Sequence, residues 1–126
     1  GTPISYPSGS IYENNSCSIN GIASPDNVTF VTGYNTLIIG EDTSAHQNDV
    51  IWSYDTIDGT LTRIQTTPFG SETTSPYWYP NIDGYAYMSS VVQHPYGESD
   101  QGRVNDADST GPEAWVGFIG PFPAMD

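Results

Sequence analysis

Glycine and proline recur along the whole chain at a density that opposes long helices. Thirteen Gly and ten Pro are spread over the 126 residues, and inside a helix they cost about 1 and 3 kcal/mol relative to Ala. Helical periodicity is almost absent, whereas β-branched and aromatic residues form short alternating or apolar runs. The sequence therefore predicts an all-β fold of antiparallel strands.

Seven runs carry the strand pattern, and glycine-containing turns separate them. Asp58-Gly59 is a strong turn dipeptide, and Gly33 lies in the segment between the first two runs. Four antiparallel strands in roughly forty residues match one blade of a β-propeller, and the remaining runs begin a second blade. The predicted strands are 27–31, 36–39, 50–54 and 61–66 in the first group, and 75–79, 85–92 and 114–119 in the second.

The predicted organisation is an irregular segment at 1–23 followed by a partial β-propeller domain at 24–126, with a long acidic loop at 97–112. Propellers close with at least about four blades, so about two blades are incomplete as a single chain. A companion segment or chain would complete the propeller. A compact β-fold of another kind is the alternative.

The charge balance restricts the partners of the chain. Fifteen acidic residues stand against two Arg and no Lys, which gives a net charge of -13. Nucleic acids and anionic membranes are disfavoured because phosphate recognition needs cationic side chains. No run approaches the roughly 18 apolar residues of a membrane span. The acid excess serves solubility, or bound cations such as Ca²⁺ neutralise part of it.

Two acidic turns are the candidate metal sites. Glu72 follows a glycine turn and precedes an aromatic strand, and Glu41-Asp42 follows the apolar run 36–39. Oxygen-rich turns at strand ends suit hard cations. Adjacent strand residues point to opposite faces, so only one of Glu41 and Asp42 is expected to face a channel. Capping of local backbone N–H groups is the alternative for Glu72.

Further candidates are ligands of a metal or residues that support one. His46 and His94 can bind a metal only with convergent partners, and a hydrogen-bonded structural histidine is the alternative for each. Asp26 and Asn27 follow a proline and offer oxygens for Ca²⁺, although Asx-turn capping is the commoner role of such residues. Cys17 is the only cysteine, so an intrachain disulfide is excluded, and burial, metal binding or an interchain bond remain open.

Six phrases occur in order along the chain: Ser24-Pro25-Asp26-Asn27-Val28, Gly40-Glu41-Asp42-Thr43, Trp52-Ser53-Tyr54-Asp55, Leu61-Thr62-Arg63-Ile64, Gly70-Ser71-Glu72-Thr73-Thr74 and Val92-Gln93-His94-Pro95. Together they resemble the PhoX family of alkaline phosphatases, over about residues 24–99. The resemblance implies the C-terminal part of a longer, extracellular or periplasmic propeller enzyme that hydrolyses phosphomonoesters with Ca²⁺ and Fe³⁺. It implies metal ligation by Glu72, and a ligand or a structural bond at Glu41 and Asp42; no catalytic residue is assigned.

The resemblance predicts that the chain is inactive alone, because most substrate-binding residues would lie in the companion segment. The alternative function is a non-catalytic extracellular module. Such a module would bind calcium for rigidity, or would self-associate through its aromatic edge strands. A weaker hypothesis is carbohydrate binding by the aromatic run Tyr77-Trp78-Tyr79.

Overall fold

A computed structural model describes residues 1–96 and 114–125, and these residues form seven β-strands and no helix. The all-β prediction is confirmed, and every predicted strand overlaps an observed one. All neighbouring strands pair antiparallel. Sheet 1 contains β1 (Pro25–Val31), β2 (Thr36–Glu41), β3 (Val50–Asp55) and β4 (Leu61–Thr66), and sheet 2 contains β5 (Glu72–Ile82), β6 (Tyr85–Gln93) and β7 (Trp115–Pro123).

Each sheet follows chain order, β1-β2-β3-β4 in one and β5-β6-β7 in the other. The turn between β5 and β6 shows how the sequence produces such a meander. Asp83 and Gly84 have φ angles of 50° and 87°, and the flanking Ile82 and Tyr85 are paired. Positive φ at both central residues matches a two-residue type I′ hairpin, whose twist fits antiparallel strands.

The two sheets pack face to face around one small apolar core. Val31, Ile38 and Ile51 from sheet 1 meet Met88 from sheet 2, and each is at most 4% exposed. Burial of such side chains contributes about 1.5–3 kcal/mol each. Partly buried residues extend this core at its margin: Ile64, Trp78, Ile119 and Met125.

The sheets approach each other closely where β2 passes β5. A Cβ atom added to Gly40 would lie 2.8 Å from Thr73 Oγ1 and 3.1 Å from the Thr73 carbonyl oxygen. Thr73 Oγ1 also donates a hydrogen bond to the carbonyl oxygen of Glu41, at 2.9 Å. The absence of a side chain at Gly40 therefore allows the sheets to be joined at this point.

Residues 1–24 form turns and one isolated bridge between Pro3 and Cys17. This N-terminal segment covers part of the outer side of sheet 1 and also bonds to the loop between β2 and β3, where the backbone N–H of Ser16 donates to the Ala45 carbonyl oxygen at 2.9 Å. The Arg63 guanidinium donates to the carbonyl oxygen of Ile19. It also lies 5.2 Å from the ring centroid of Trp52. The predicted acidic loop at 97–112 lies outside the described residues.

Both sides of the two-sheet stack that face away from the core carry apolar rows. Residues directly opposite one another in an antiparallel pair share a face, so the register defines these rows. On the outer face of sheet 1 they are Val28-Ile39-Trp52-Arg63 and Phe30-Leu37-Tyr54-Leu61. On the outer face of sheet 2 they are Thr74-Val91-Val116, Tyr77-Ser89-Phe118 and Tyr79-Tyr87.

Neither sheet closes on itself within the described ranges. The coarse prediction of antiparallel β-structure is therefore shown, and the arrangement of the sheets as propeller blades stays a prediction. No helix long and apolar enough to cross a bilayer occurs among the described residues.

Candidate functional site

Glu41 ends β2 with its carboxylate fully buried, and four donors converge on it. Oε1 accepts from the backbone N–H of Ala23 and from the indole N–H of Trp52, each at 2.8 Å. Oε2 lies 3.0 Å from both the backbone nitrogen of Val50 and Nδ1 of His46. Two partners for each oxygen use the favourable lone-pair directions of a carboxylate. A metal ion at Glu41 would have to displace one of these protein donors.

The imidazole of His46 connects Glu41 to the N-terminal segment. Its Nε2 atom lies 3.1 Å from the carbonyl oxygen of Ser18, and the side chain is almost fully buried. A carbonyl oxygen only accepts, so Nε2 carries a proton and donates it. The imidazole thus links the Glu41 carboxylate on β2 to the backbone of the N-terminal segment.

Asp49 adds a second buried carboxyl to the same region. Burial, assisted by the charges of Glu41 and Asp42, raises the pKa of Asp49 to about 7, against the opposing effects of the hydrogen bond from the backbone N–H of Thr43 and of the nearby His46. That N–H donates to Asp49 Oδ2 at 3.0 Å. Buried carboxyl groups thus accept hydrogen bonds that hold the loop between β2 and β3 in place.

Glu72 and His94 form a similar pair in a more open position. Nε2 of His94 lies 3.3 Å from Oε2 of Glu72, and the two side chains are 32% and 14% exposed, respectively. Nδ1 lies 3.3 Å from the Gly70 carbonyl oxygen. When Nδ1 donates to that oxygen, as metal-bound histidines commonly do, the lone pair of Nε2 faces the carboxylate. The two electron-rich atoms then repel each other unless a proton or a cation lies between them.

The separation within this second pair is compatible with shared metal ligation. Metal–nitrogen and metal–oxygen bonds of about 2.0–2.2 Å place neighbouring ligand atoms about 3.0–3.5 Å apart. The pair supplies two ligands only. Within residues 1–96 and 114–125, no group of three or more His, Cys, Asp or Glu side chains is arranged to hold a metal ion. Further ligands would have to come from elsewhere.

The remaining predicted site residues lie apart from these pairs or face solvent. Asp42 is exposed, and its backbone N–H donates to the Ser24 carbonyl oxygen at 3.2 Å. Asp26 accepts a hydrogen bond from the neighbouring Asn27 amide. Strand alternation places the Glu41 carboxylate on the outer side of sheet 1 and the Glu72 carboxylate on the outer side of sheet 2. The structure thus pairs each glutamate with a histidine and keeps the two glutamates apart.

Sequence reasoning missed two residues of the buried cluster. Trp52 was predicted only as part of a strand, yet its indole N–H bonds to Glu41. Asp49 is 2% exposed, although a polar residue preceding an apolar strand usually reads as a turn residue. A dense acidic and histidine-containing segment between two apolar strands was the one available signal for this cluster.

No protein-family model, curated protein or solved structure matches the chain. The PhoX resemblance therefore depends on the sequence phrases alone.

Proposed function

We propose that this chain is a packing module of a larger β-sheet assembly, and that further β-sheet covers its outer faces. The supporting observation is the composition of the outer face of sheet 2. Its three central rows carry apolar, aromatic and hydroxyl side chains and no charged one, in a chain that has fifteen acidic residues. Contiguous apolar surface of this kind is typical of interaction sites.

The exposure of these side chains makes the surface costly in water. Tyr77, Val116 and Phe118 are 57%, 73% and 64% exposed. Ring contacts connect the aromatic members, with centroids 5.0 Å apart for Tyr77 and Tyr79 and 6.1 Å apart for Tyr79 and Phe118. Covering this surface would gain about 25 cal/mol for each Å² of apolar area removed from water.

The opposite side of the stack supports the same proposal. Val28 and Phe30 on the outer face of sheet 1 are 64% and 49% exposed. Blades of a β-propeller have neighbours on both faces, so exposed apolar surface on both outer sides, here around Val28 and Phe30 beyond the part that the N-terminal segment covers, suits an internal portion of such a fold. A companion segment would supply the neighbouring sheets, as the partial-propeller prediction requires.

The native mass of the protein tests this function. We expect native mass spectrometry of material purified without denaturant to give a mass well above the 13.6 kDa of one chain. The Phe118→Asp variant should reduce the mass to that of one chain, because a buried carboxylate opposes the docking of another sheet. Ile57→Asp is the matched control, since Ile57 is 77% exposed at the turn after β3, away from the outer apolar rows. A wild-type mass of one chain would refute the proposal.

A second candidate function is metal-dependent phosphomonoester hydrolysis by the completed assembly, and the Glu72–His94 geometry favours it. Glu72 and His94 would hold a cation with ligands from the companion segment. The cation would supply charge stabilisation for the phosphoryl oxygens. Calcium and iron would then be protein constituents of a PhoX-like enzyme.

Elemental analysis of the purified native material distinguishes the two functions. Stoichiometric iron with calcium, lost in a Glu72→Gln variant and kept in Glu13→Gln, would support the phosphatase; Glu13 is exposed and bonded only to local groups. Absence of iron in an assembly of native mass would leave the packing module as the function. Turnover of an aryl phosphate by the isolated chain would contradict the need for a companion.

A further inference from the structure

A pocket of about 130 Å³ lies between the N-terminal segment and the outer face of sheet 1. Strands β3 and β4, the loop between β2 and β3, and the N-terminal segment each form one side of it. The residues on these sides include Val50, Arg63 and Thr66, then Gln47, and then Ile11 and Ile19. No Asp or Glu is among the described residues that line the pocket, although the chain has fifteen acidic residues.

Arg63 brings a permanent positive charge to this pocket. Its guanidinium donates to the Ile19 carbonyl oxygen and lies 5.2 Å from the ring centroid of Trp52. These two contacts fix the position of the group, but they use few of its five N–H donors. Within residues 1–96 and 114–125 the ion pairs are those of His46 and His94 with glutamates, so no described carboxylate neutralises Arg63. Arg63 is exposed, so its remaining donors are accessible to a ligand.

We propose that this pocket binds a small carboxylate ligand, whose charged end pairs with Arg63. The planar guanidinium presents parallel N–H groups that match the two oxygens of a carboxylate. The side-chain amide of Gln47 and the hydroxyl of Thr66 line the same pocket and are further donors. The site is independent of the exposed outer rows and of the Glu72–His94 pair.

The apolar part of the wall favours a carboxylate with a hydrocarbon body over an inorganic anion. Ile11, Ile19 and Val50 line the pocket together with the polar groups. A phosphate ion would satisfy Arg63 and leave these side chains hydrated, whereas a hydrocarbon body covers them and gains the free energy of their burial. The ligand therefore has one charged end and one apolar end.

The volume of the pocket sets the size of that body. A cavity of about 150 Å³ holds one benzene molecule, so this pocket accommodates about six carbon atoms, with the carboxylate at the exposed Arg63. The net charge of -13 repels anions at a distance. Salt at about 0.15 M screens charges beyond about 8 Å, so the test is made at that ionic strength.

Binding of benzoate tests the site. The protein would be labelled with ¹⁵N and titrated while its arginine side-chain N–H signals and its backbone amide signals are followed. The chain has only two Arg, so loss of one side-chain signal in Arg63→Lys assigns it. We expect saturable shifts of the Arg63 signal and of the Gln47 and Thr66 amides. Benzamide has the same shape without the charge and should bind about 10-fold more weakly or worse.

Two variants and one control separate the pocket from a general effect of charge. Arg63→Gln should weaken the binding of benzoate about 10-fold or more. Gln47→Leu removes one donor, leaves the contacts of Arg63 in place, and should weaken binding about 3- to 10-fold. Arg103→Gln is the matched control, because it makes the same change in net charge at a position outside the described residues. It should leave the affinity for benzoate unchanged.

The proposal is overturned if benzoate gives no saturable shifts, or if benzamide binds as tightly as benzoate. Equal weakening by Arg103→Gln and Arg63→Gln would also overturn it, since net charge would then explain the effect. Tighter binding of inorganic phosphate than of benzoate would show an anion site without the apolar half. Thermal unfolding scans show which variants are folded, and Gln47→Leu supplies the decision if Arg63→Gln is not.

Discussion

Nδ1 of His46 lies 3.0 Å from Oε2 of Glu41, and both side chains are buried at the junction of three parts of the chain. Through this contact and its neighbours, the end of β2 is tied to β3 by Val50 and Trp52 and to the N-terminal segment by Ala23. A single carboxylate thus fixes the position of segments that have little regular structure of their own.

Replacement of Glu41 by Gln should destabilise the protein strongly. The amide NH₂ group would face N–H donors, so at least one buried donor would lose its acceptor. We expect the free energy of unfolding in urea to fall by about 3–5 kcal/mol, as for a broken buried ion pair. Glu72→Gln, at the more exposed pair, should cost about 1 kcal/mol or less. Equal losses in the two variants would show that Glu41 is not the main structural carboxylate.

The stability of the protein should fall as pH rises from about 4 to about 7, because of Asp49. The pKa of Asp49 is about 7 in the folded chain and 3.8 as its ordinary value. Between these values the folded state holds a proton that the unfolded chain has released, so a rise in pH favours unfolding. Asp49→Asn keeps an acceptor for the Thr43 N–H and should flatten this dependence.

Urea unfolding at pH 5 and pH 8 measures the effect. The wild type should lose about 2–3 kcal/mol more between these values than Asp49→Asn. Asp83→Asn is the control, since Asp83 is an exposed turn residue with positive φ, where Asn is also favourable. The attribution to Asp49 fails if Asp49→Asn and Asp83→Asn show the same dependence on pH.

A methyl group at position 40 should push the two sheets apart. The Cβ of Gly40→Ala would lie 3.1 Å from a backbone carbonyl oxygen of Thr73 and closer still to its hydroxyl. Overpacking of this kind costs about 1–3 kcal/mol. Gly117→Ala meets open space and should not be destabilising. Differential scanning calorimetry would compare the two, and a similar melting temperature for both would contradict the close approach.

Removal of the Thr73 hydroxyl tests the bond between the sheets directly. Thr73 Oγ1 is buried and donates to the Glu41 carbonyl oxygen at 2.9 Å, so Thr73→Val leaves that acceptor short of a donor. We expect a loss of about 1–2 kcal/mol in urea unfolding. Thr74→Val, one residue along on the outer face, should change stability little. A larger loss in Thr74→Val would show that the outer face contributes more than this bond.

The strands could be predicted from the sequence because their signals are local. Alternation in 61–66 and the turn dipeptide Asp58-Gly59 each depend on a few neighbouring residues. The environment of Glu41 could not be predicted, since its donors come from Ala23, His46 and Trp52, and only the fold brings these together. An acidic residue at a strand end has the same local pattern whether it binds a metal or accepts hydrogen bonds.

The outer rows could not be predicted from the sequence either. The run Tyr77-Trp78-Tyr79 reads as one aromatic platform, but strand alternation divides it: Trp78 packs against the core and Tyr77 lies on the outer face. Gln65 on β4 and Ser90 on β6 are far apart in the sequence, and they line one cleft between the sheets only because the sheets stack. Such features depend on which faces meet.

The order of strands in the sheets also determines when each can form during synthesis. β1 to β4 pair only with their neighbours along the chain, so their hydrogen bonds can be completed once residue 66 has left the ribosome. Ile38 and Ile51 would then stay exposed to water until β6 has been synthesised and Met88 packs against them. During that interval the nascent chain presents an uncovered apolar sheet, and a chaperone or rapid translation of residues 72–93 would protect it from aggregation.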